Sequence, residues 1–369
     1  MRKKRLLKVL MVASVVLFAT AAILYRLVMP GALFLIRFLD ENAAKDSFSD
    51  IEIIDAPIHM DGITVKSRIY RPQDGYDKVL LVVHGVHHGG YDEERMVRFV
   101  KELCRLGYLI VTPEIKDLKD YEISLRSVDE IHAAAKWILT KSKLVGPDEK
   151  IRIFGFSFAG GLSISAAARS DIQDRIAAVF SFGGHADLGR TLKYLCSGQL
   201  PDGGTLEPHV YGQAVIARQL ASQLVPKDQV ASLRKILFTY LTDDIKTVKA
   251  ELPGLGAESR RIVELCLKRN AKELGNLLQS VVTSNPFDDS LSPIRGPVPK
   301  AALFLLHGSV DNVIPPSETR ALAEWASGKT KTHALVTPLI NHVELEGPSE
   351  QSNWAYWEII RFWTELLRS

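Results

Sequence analysis

The sequence predicts an α/β protein: a mainly parallel, doubly wound sheet with helices on both faces, an inserted helical cap and an N-terminal transmembrane helix. Three observations predict it. From Ile51 onward, short apolar runs alternate with amphipathic stretches at helical spacing, the pattern of parallel strands joined by helical crossovers. About 110 residues separate the runs "SFGGHAD" and "PKAALFLL", several times what one crossover needs. Before Ile51 stands a basic cluster followed by a long apolar run.

The elements follow in order. Arg2, Lys3, Lys4, Arg5 and Lys8 precede Val9–Tyr25, an uncharged run of about 17 residues, near the lower limit for spanning a bilayer. Leu27–Met29 extend it if Arg26 snorkels. A cleavable signal peptide competes, because Ala19-Thr20-Ala21 has the small-x-small form of a cleavage site. That site lies inside the apolar run, which favours an uncleaved anchor. In either case the basic end stays cytoplasmic and the bulk of the chain is exported, to the periplasm or the cell exterior. Ala32–Leu39, broken by Arg37, reads as an interfacial helix or a packed lead-in.

"IEII" and "ITVKSRIY" then read as two opening strands, and "KVLLVVHG" as a buried central one. "ERMVRFVKELCRLG" is an amphipathic helix closed by Gly107, "YLIVTPE" a strand and "SVDEIHAAAKWILTKS" a helix. "RIAAVFSFGG" and "KAALFLLHGS" are further buried strands, and "NWAYWEIIRFWTELLRS" closes the chain as an aromatic-rich helix. Within the long gap, "GQAVIARQLASQLV", "VASLRKILFTYL" and "ESRRIVELCLKRNAKELGNLLQSVV" are amphipathic helices. The expected organisation is a basic end at 1–8, an anchor at 9–29, a lead-in linker at 30–50, core at 51–187, cap at 188–297 and core again at 298–369.

Composition narrows the function. A chain of 369 residues buries a full core, and one α/β domain with an insertion suits that length. Taking the five terminal charges from 46 bases leaves 41 against 43 acids, so no basic face for nucleic acid is implied. Cys104, Cys196 and Cys266 are odd in number and widely spaced, and read as buried thiols rather than a disulfide framework or zinc site.

The chemistry centres on "IRIFGFSFAGG", where Ser157 sits on a strand-to-helix turn between an apolar run and small residues. With Gly155 before it and Ala159, Gly160 and Gly161 behind, this stretch resembles the nucleophile elbow G-x-S-x-G of the α/β-hydrolase superfamily, with Ala159 in the place of the second glycine. A serine hydroxyl needs a base and a third group to orient that base. "LFLLHGSVDNVIPP" places Asp311 just beyond a buried strand, and "LINHVELEG" places His342 31 residues later. Ser157, Asp311 and His342 follow the superfamily's chain order. The Asp311 segment looks like that of bacterial esterases and peptidase-like hydrolases, in the dienelactone-hydrolase and prolyl-oligopeptidase branch. The resemblance further implies that the backbone N–H groups of Val86, in "HGVHHGG", and of Phe158 form the oxyanion hole.

The expected protein is a membrane-anchored serine hydrolase acting on a small carboxylic ester, thioester or amide, with an apolar acyl group under the cap. No cofactor is called for. An acyltransferase on the same triad and a catalytically silent membrane-tethered binding module are the alternatives. His84 reads as ordering its turn; a metal site at His84, His87 and His88 lacks a familiar carboxylate spacing. Asp187 is a rival for the acid, read as a cap-hinge or solvent residue, and His185 reads as structural.

Overall fold

The apolar runs pair into one eight-stranded sheet. Its strands are β1 (Ile51–Asp55), β2 (Ser67–Pro72), β3 (Lys78–Val83), β4 (Tyr108–Pro113), β5 (Ile151–Phe156), β6 (Ile176–Phe182), β7 (Ala302–Gly308) and β8 (Thr332–Thr337), in the order β1-β2-β4-β3-β5-β6-β7-β8. This computed structural model describes residues 25, 28–38, 50–284, 287–341, 344–345 and 353–369. β3 to β8 pair in parallel, while β1 and β2 join antiparallel. The central strands read as continuous hydrophobic runs because helices cover both faces; every residue of β4 is buried. The architecture is α/β-hydrolase-like, with a mostly parallel central sheet.

Strand order positions the site. From β3 the chain moves to β4 on one side, then returns to β5 on the other, so the sheet reverses direction at β3. At such a switch point the loops leaving adjacent strands diverge and open a crevice at their carboxyl ends. The loop after β3 carries "HGVHHGG", and the turn after β5 carries Ser157.

Two readings change. "ITVKSRIY" is not one strand: Ile63–Val65 forms a small hairpin with Ile58–Met60, and β2 starts afresh at Ser67. The chain also divides into two compact units, Phe48–Glu346 and a second of Met1–Ser47 with Gly347–Ser369. The closing helix Asn353–Arg368, read as core, therefore belongs with the N-terminal segment. There the lead-in is helical over 28–38, as the stretch Ala32–Leu39 was expected to be. Gly31 N–H donates to Thr364 Oγ1 at 3.0 Å, and the Phe34 and Trp363 rings meet at 4.5 Å. The apolar run from Val9 lies, except for Tyr25, Val28 and Met29, outside the described residues. Among the described residues no helix is long and apolar enough to cross a membrane.

Between β6 and β7 the described residues form the α-helices Leu188–Ser197, Val210–Gln219, Ala221–Leu224, Val230–Leu241, Ile245–Glu251, Ala257–Leu267 and Ala271–Ser284. Their apolar faces supply much of the buried core, including Leu233, Leu237, Leu274 and Leu278.

The elbow depends on close backbone approach. A Cβ at Gly155 would lie 2.7 Å from both Ser163 Oγ and the Ala159 carbonyl carbon, in backbone that cannot yield. Gly155→Ala is therefore expected to cost roughly 2 kcal/mol, the scale of an overpacked core. A thermal melt should show Tm several degrees lower, and an unchanged Tm would show that the elbow helix can move outward.

Candidate active site

Ser157 stands at φ 53°, ψ −135°, between β5 and the helix Phe158–Ala167. A non-glycine residue in this region is strained, and persists only when its surroundings over-determine it. Here they do. Ser157 N–H donates to Phe182 O at 2.7 Å, and Ser157 O accepts from Gly160 N–H at 2.8 Å. Gly160 and Gly161 let the helix lie against the end of β6: a Cβ on Gly161 would meet the His185 ring at 2.6 Å. Ala159 is accommodated because its side chain joins the buried apolar core, while the tight contact is made by its backbone against Gly155.

The loop after β3 runs alongside. A Cβ on Gly85 would lie 3.3 Å from Ser157 Cβ, so a side chain there would push the loop away by a few tenths of an ångström. His84, fully buried, accepts from Ile115 N–H at Nε2 (3.0 Å), so its proton sits on Nδ1 and is donated to Gly85 O at 2.7 Å. That carbonyl belongs to the same peptide plane as the Val86 N–H. Among the described residues neither Val86 N–H nor Phe158 N–H has a hydrogen-bond acceptor. The other two imidazoles are also committed: His87 Nδ1 accepts from Gly89 N–H at 3.1 Å, and His88 Nδ1 pairs with Tyr121 Oη at 2.9 Å.

Asp311 is fully buried beyond β7. Its Oδ1 accepts from Val313 N–H (2.9 Å) and Ile314 N–H (3.0 Å), while Oδ2 lies 3.2 Å from His307 Nε2. His307 was not singled out from sequence. Its Nε2 faces Ile314 O at 2.8 Å as well as the carboxylate, so it carries the proton, and Thr319 holds Nδ1 at 2.7 Å. His342 lies outside the described residues. The short hairpin Ile340–Asn341 with Glu344–Leu345 flanks it, and Ile340 packs directly against Gly308 at the end of the strand leading to Asp311.

Asp187 is placed otherwise. It caps the helix Leu188–Ser197 through Arg190 N–H at 2.9 Å, and Arg295 grips its Oδ2 through Nε at 3.1 Å and Nη2 at 2.9 Å. Burial pushes its carboxyl up, but the Arg190 amide and Arg295 guanidinium outweigh burial and hold it below the usual carboxylate range. Glu318, also missed from sequence, accepts from Ala186 and Asp187 N–H (both 2.9 Å) and from Arg190 Nε (2.7 Å). His185 Nε2 donates to Leu291 O at 2.7 Å. These bonds stitch the outgoing and returning stems of the insertion.

An apolar pocket adjoins the elbow, lined by Phe158, Leu192, Leu195, Val215, Leu220 and Phe287 among others. The Gln219 amide beside it is spent on both backbone groups of Ile123, at 3.2 and 2.9 Å.

No protein-family model and no curated protein sequence matches the chain. Among solved structures it is similar to the esterase rPPE (15% identity, 91% of this chain and 88% of that one, TM-score 0.49). It is likewise similar to an esterase of Pyrococcus furiosus (16%, 80% and 84%, 0.47) and to an acylaminoacyl peptidase of Pyrococcus horikoshii (13%, 86% and 40%, 0.46).

The buried imidazole beside the elbow sets a pH dependence. Burial drives the His84 pKa down from 6.5 to about 4, against the opposing pull of its Gly85 bond. The unfolded chain therefore binds the proton first, and His84's contribution is complete above pH 6.5 and lost as pH falls toward 4. Between pH 7.5 and pH 4, urea unfolding should show the wild type losing roughly 3 kcal/mol more than His84→Gln. Equal losses would mean that His84 stays solvated.

Proposed function

We propose that the chain is a membrane-anchored serine hydrolase that cleaves a carboxylic ester, thioester or small amide with an apolar acyl group. The observation that carries this reading is the strained Ser157 turn, set against the Gly85–Val86 peptide whose carbonyl His84 holds. In this mechanism His342 takes the Ser157 proton as Oγ attacks the acyl carbonyl, and the C=O π pair moves onto oxygen. The Val86 and Phe158 N–H groups receive that oxyanion, worth about 10²–10³ in rate per donor. As the tetrahedral intermediate collapses, the bond to the leaving group breaks and His342 returns the proton to it. Water, deprotonated by His342, then attacks the acyl-enzyme; as the second tetrahedral intermediate collapses, the bond to Ser157 Oγ breaks, His342 returns the proton to that oxygen and the acid leaves. Asp311 orients His342 and stabilises its imidazolium. Among the described residues the polar side chain lining the pocket, Gln219, is spent on the Ile123 backbone, so the pocket by Phe158 favours an apolar acyl group.

A fluorophosphonate probe tests this without knowledge of the substrate. Labelling is expected in the wild type and absent in Ser157→Ala and His342→Ala. Asp311→Asn should lose about 10⁴ in turnover, and Asp187→Asn should retain most of it. Labelling that persists without Ser157, or crippling by Asp187→Asn alone, would overturn the assignment.

The anchoring reading rests on the basic cluster before the apolar run from Val9. An alkaline phosphatase fused after Ser369 should be active in cells, with the chain in the membrane fraction. An inactive fusion beside an active cytoplasmic reporter would reverse the topology.

A further inference from the structure

The loop bearing Val86 is held from above as well as from below. Two peptide planes meet at the Val86 Cα. His84 grips the first through Gly85 O at 2.7 Å, and the second is gripped through Val86 O by the Tyr211 hydroxyl, also at 2.7 Å. Tyr211 belongs to the first turn of the cap helix Val210–Gln219. Burial holds its phenol pKa well above 10, so it remains a donor throughout the working pH range. Two residues earlier, His209 N–H donates to Asn312 O at 2.8 Å, and Tyr194 Oη reaches the same carbonyl at 3.2 Å. Asn312 lies between Asp311 and Val313, whose N–H binds the Asp311 carboxylate. A second cap tether runs through Tyr121: its hydroxyl proton goes to Leu241 O at 2.9 Å, which leaves the oxygen to accept from His88 Nδ1–H.

We propose that the first turn of the cap helix Val210–Gln219 braces both catalytic loops, with Tyr211 a positioning residue that fixes the Val86 peptide for oxyanion binding. This rests on the hydrolase reading above, and extends the cap's part from roofing a pocket to setting the rate of the chemical step. Freed from Tyr211, the Val86–His87 peptide can rotate, and the Val86 N–H keeps only the His84 constraint. An oxyanion donor a fraction of an ångström out of place loses much of its effect on the transition state and little on the bound ester.

Tyr211→Phe keeps the ring and removes the hydroxyl. Its kcat on a p-nitrophenyl ester should fall tenfold or more with KM within about twofold, and fluorophosphonate labelling should slow in parallel. Tyr240→Phe is the control, since its hydroxyl binds Cys266 O inside the cap at 3.2 Å. It should leave kcat unchanged. Hydrogen exchange supplies a readout independent of activity: amides over 84–90 should exchange faster in Tyr211→Phe and not in Tyr240→Phe. Unchanged exchange there, or equal kcat losses in both variants, would overturn the brace. A wild type that neither labels nor hydrolyses esters, while the exchange difference holds, would sink the hydrolase reading and leave the brace standing.

Discussion

The backbone turn at Ser157 is the constraint on which the rest of the site depends. A serine at φ 53° is costly, on the order of 1–3 kcal/mol, and must be held by its neighbours. The hydrogen bond to Phe182 O ties it to β6, and Gly155, Gly160 and Gly161 let the following helix close on the ends of β5 and β6. A larger side chain at any of the three would push the helix outward and relax the turn. The small residues behind the serine are thus the means by which strain is stored where the hydroxyl is needed.

Once that turn exists, topology brings the other parts to it. Reversal of the strand order at β3 lays the His84–Gly90 loop beside Ser157, and β7, two strands beyond β5, delivers Asp311 at the same carboxyl end of the parallel strands. Each carrier strand is almost wholly buried, so its end position is set by core packing and not by the loop itself. The loops are then trimmed by buried hydrogen bonds, from His84 to Gly85 O and from the Val313 and Ile314 amides to Asp311, with the His307 ring 3.2 Å from the same carboxylate.

What was legible in the sequence follows the same division. The buried strands were visible because runs such as Val79–Val83 need no partner to reveal their apolar character. The elbow was visible because strain of this kind demands glycine and alanine in sequence neighbours. "ITVKSRIY" misled because its partial alternation continues through Lys66, where the chain leaves the hairpin for β2. The closing helix misled because apolar spacing states that a face is buried, not against what; here Trp363 and Thr364 meet the helix over 28–38. His307, Tyr211 and Glu318 were illegible for a related reason. Each is an ordinary residue whose role lies in partners 4, 125 and 131–132 positions away.

Long separation has a physical consequence for the insertion. Its outgoing and returning stems are pinned by Glu318, Arg190, Asp187 and Arg295, and its first turn reaches two loops that fold from distant parts of the chain. A lid joined only by flexible stems would leave the crevice walls to order themselves. Stems tied by these charged pairs instead hold the insertion in one register: the Glu318 carboxylate is fully buried and that of Asp187 nearly so, and losing either arginine, both partly exposed, would leave a buried carboxylate without its cation. The stem network and the Tyr211 contact therefore act in series: rigid stems place Val210–Gln219, that helix places Tyr211, and Tyr211 places the Val86 peptide against the strained serine.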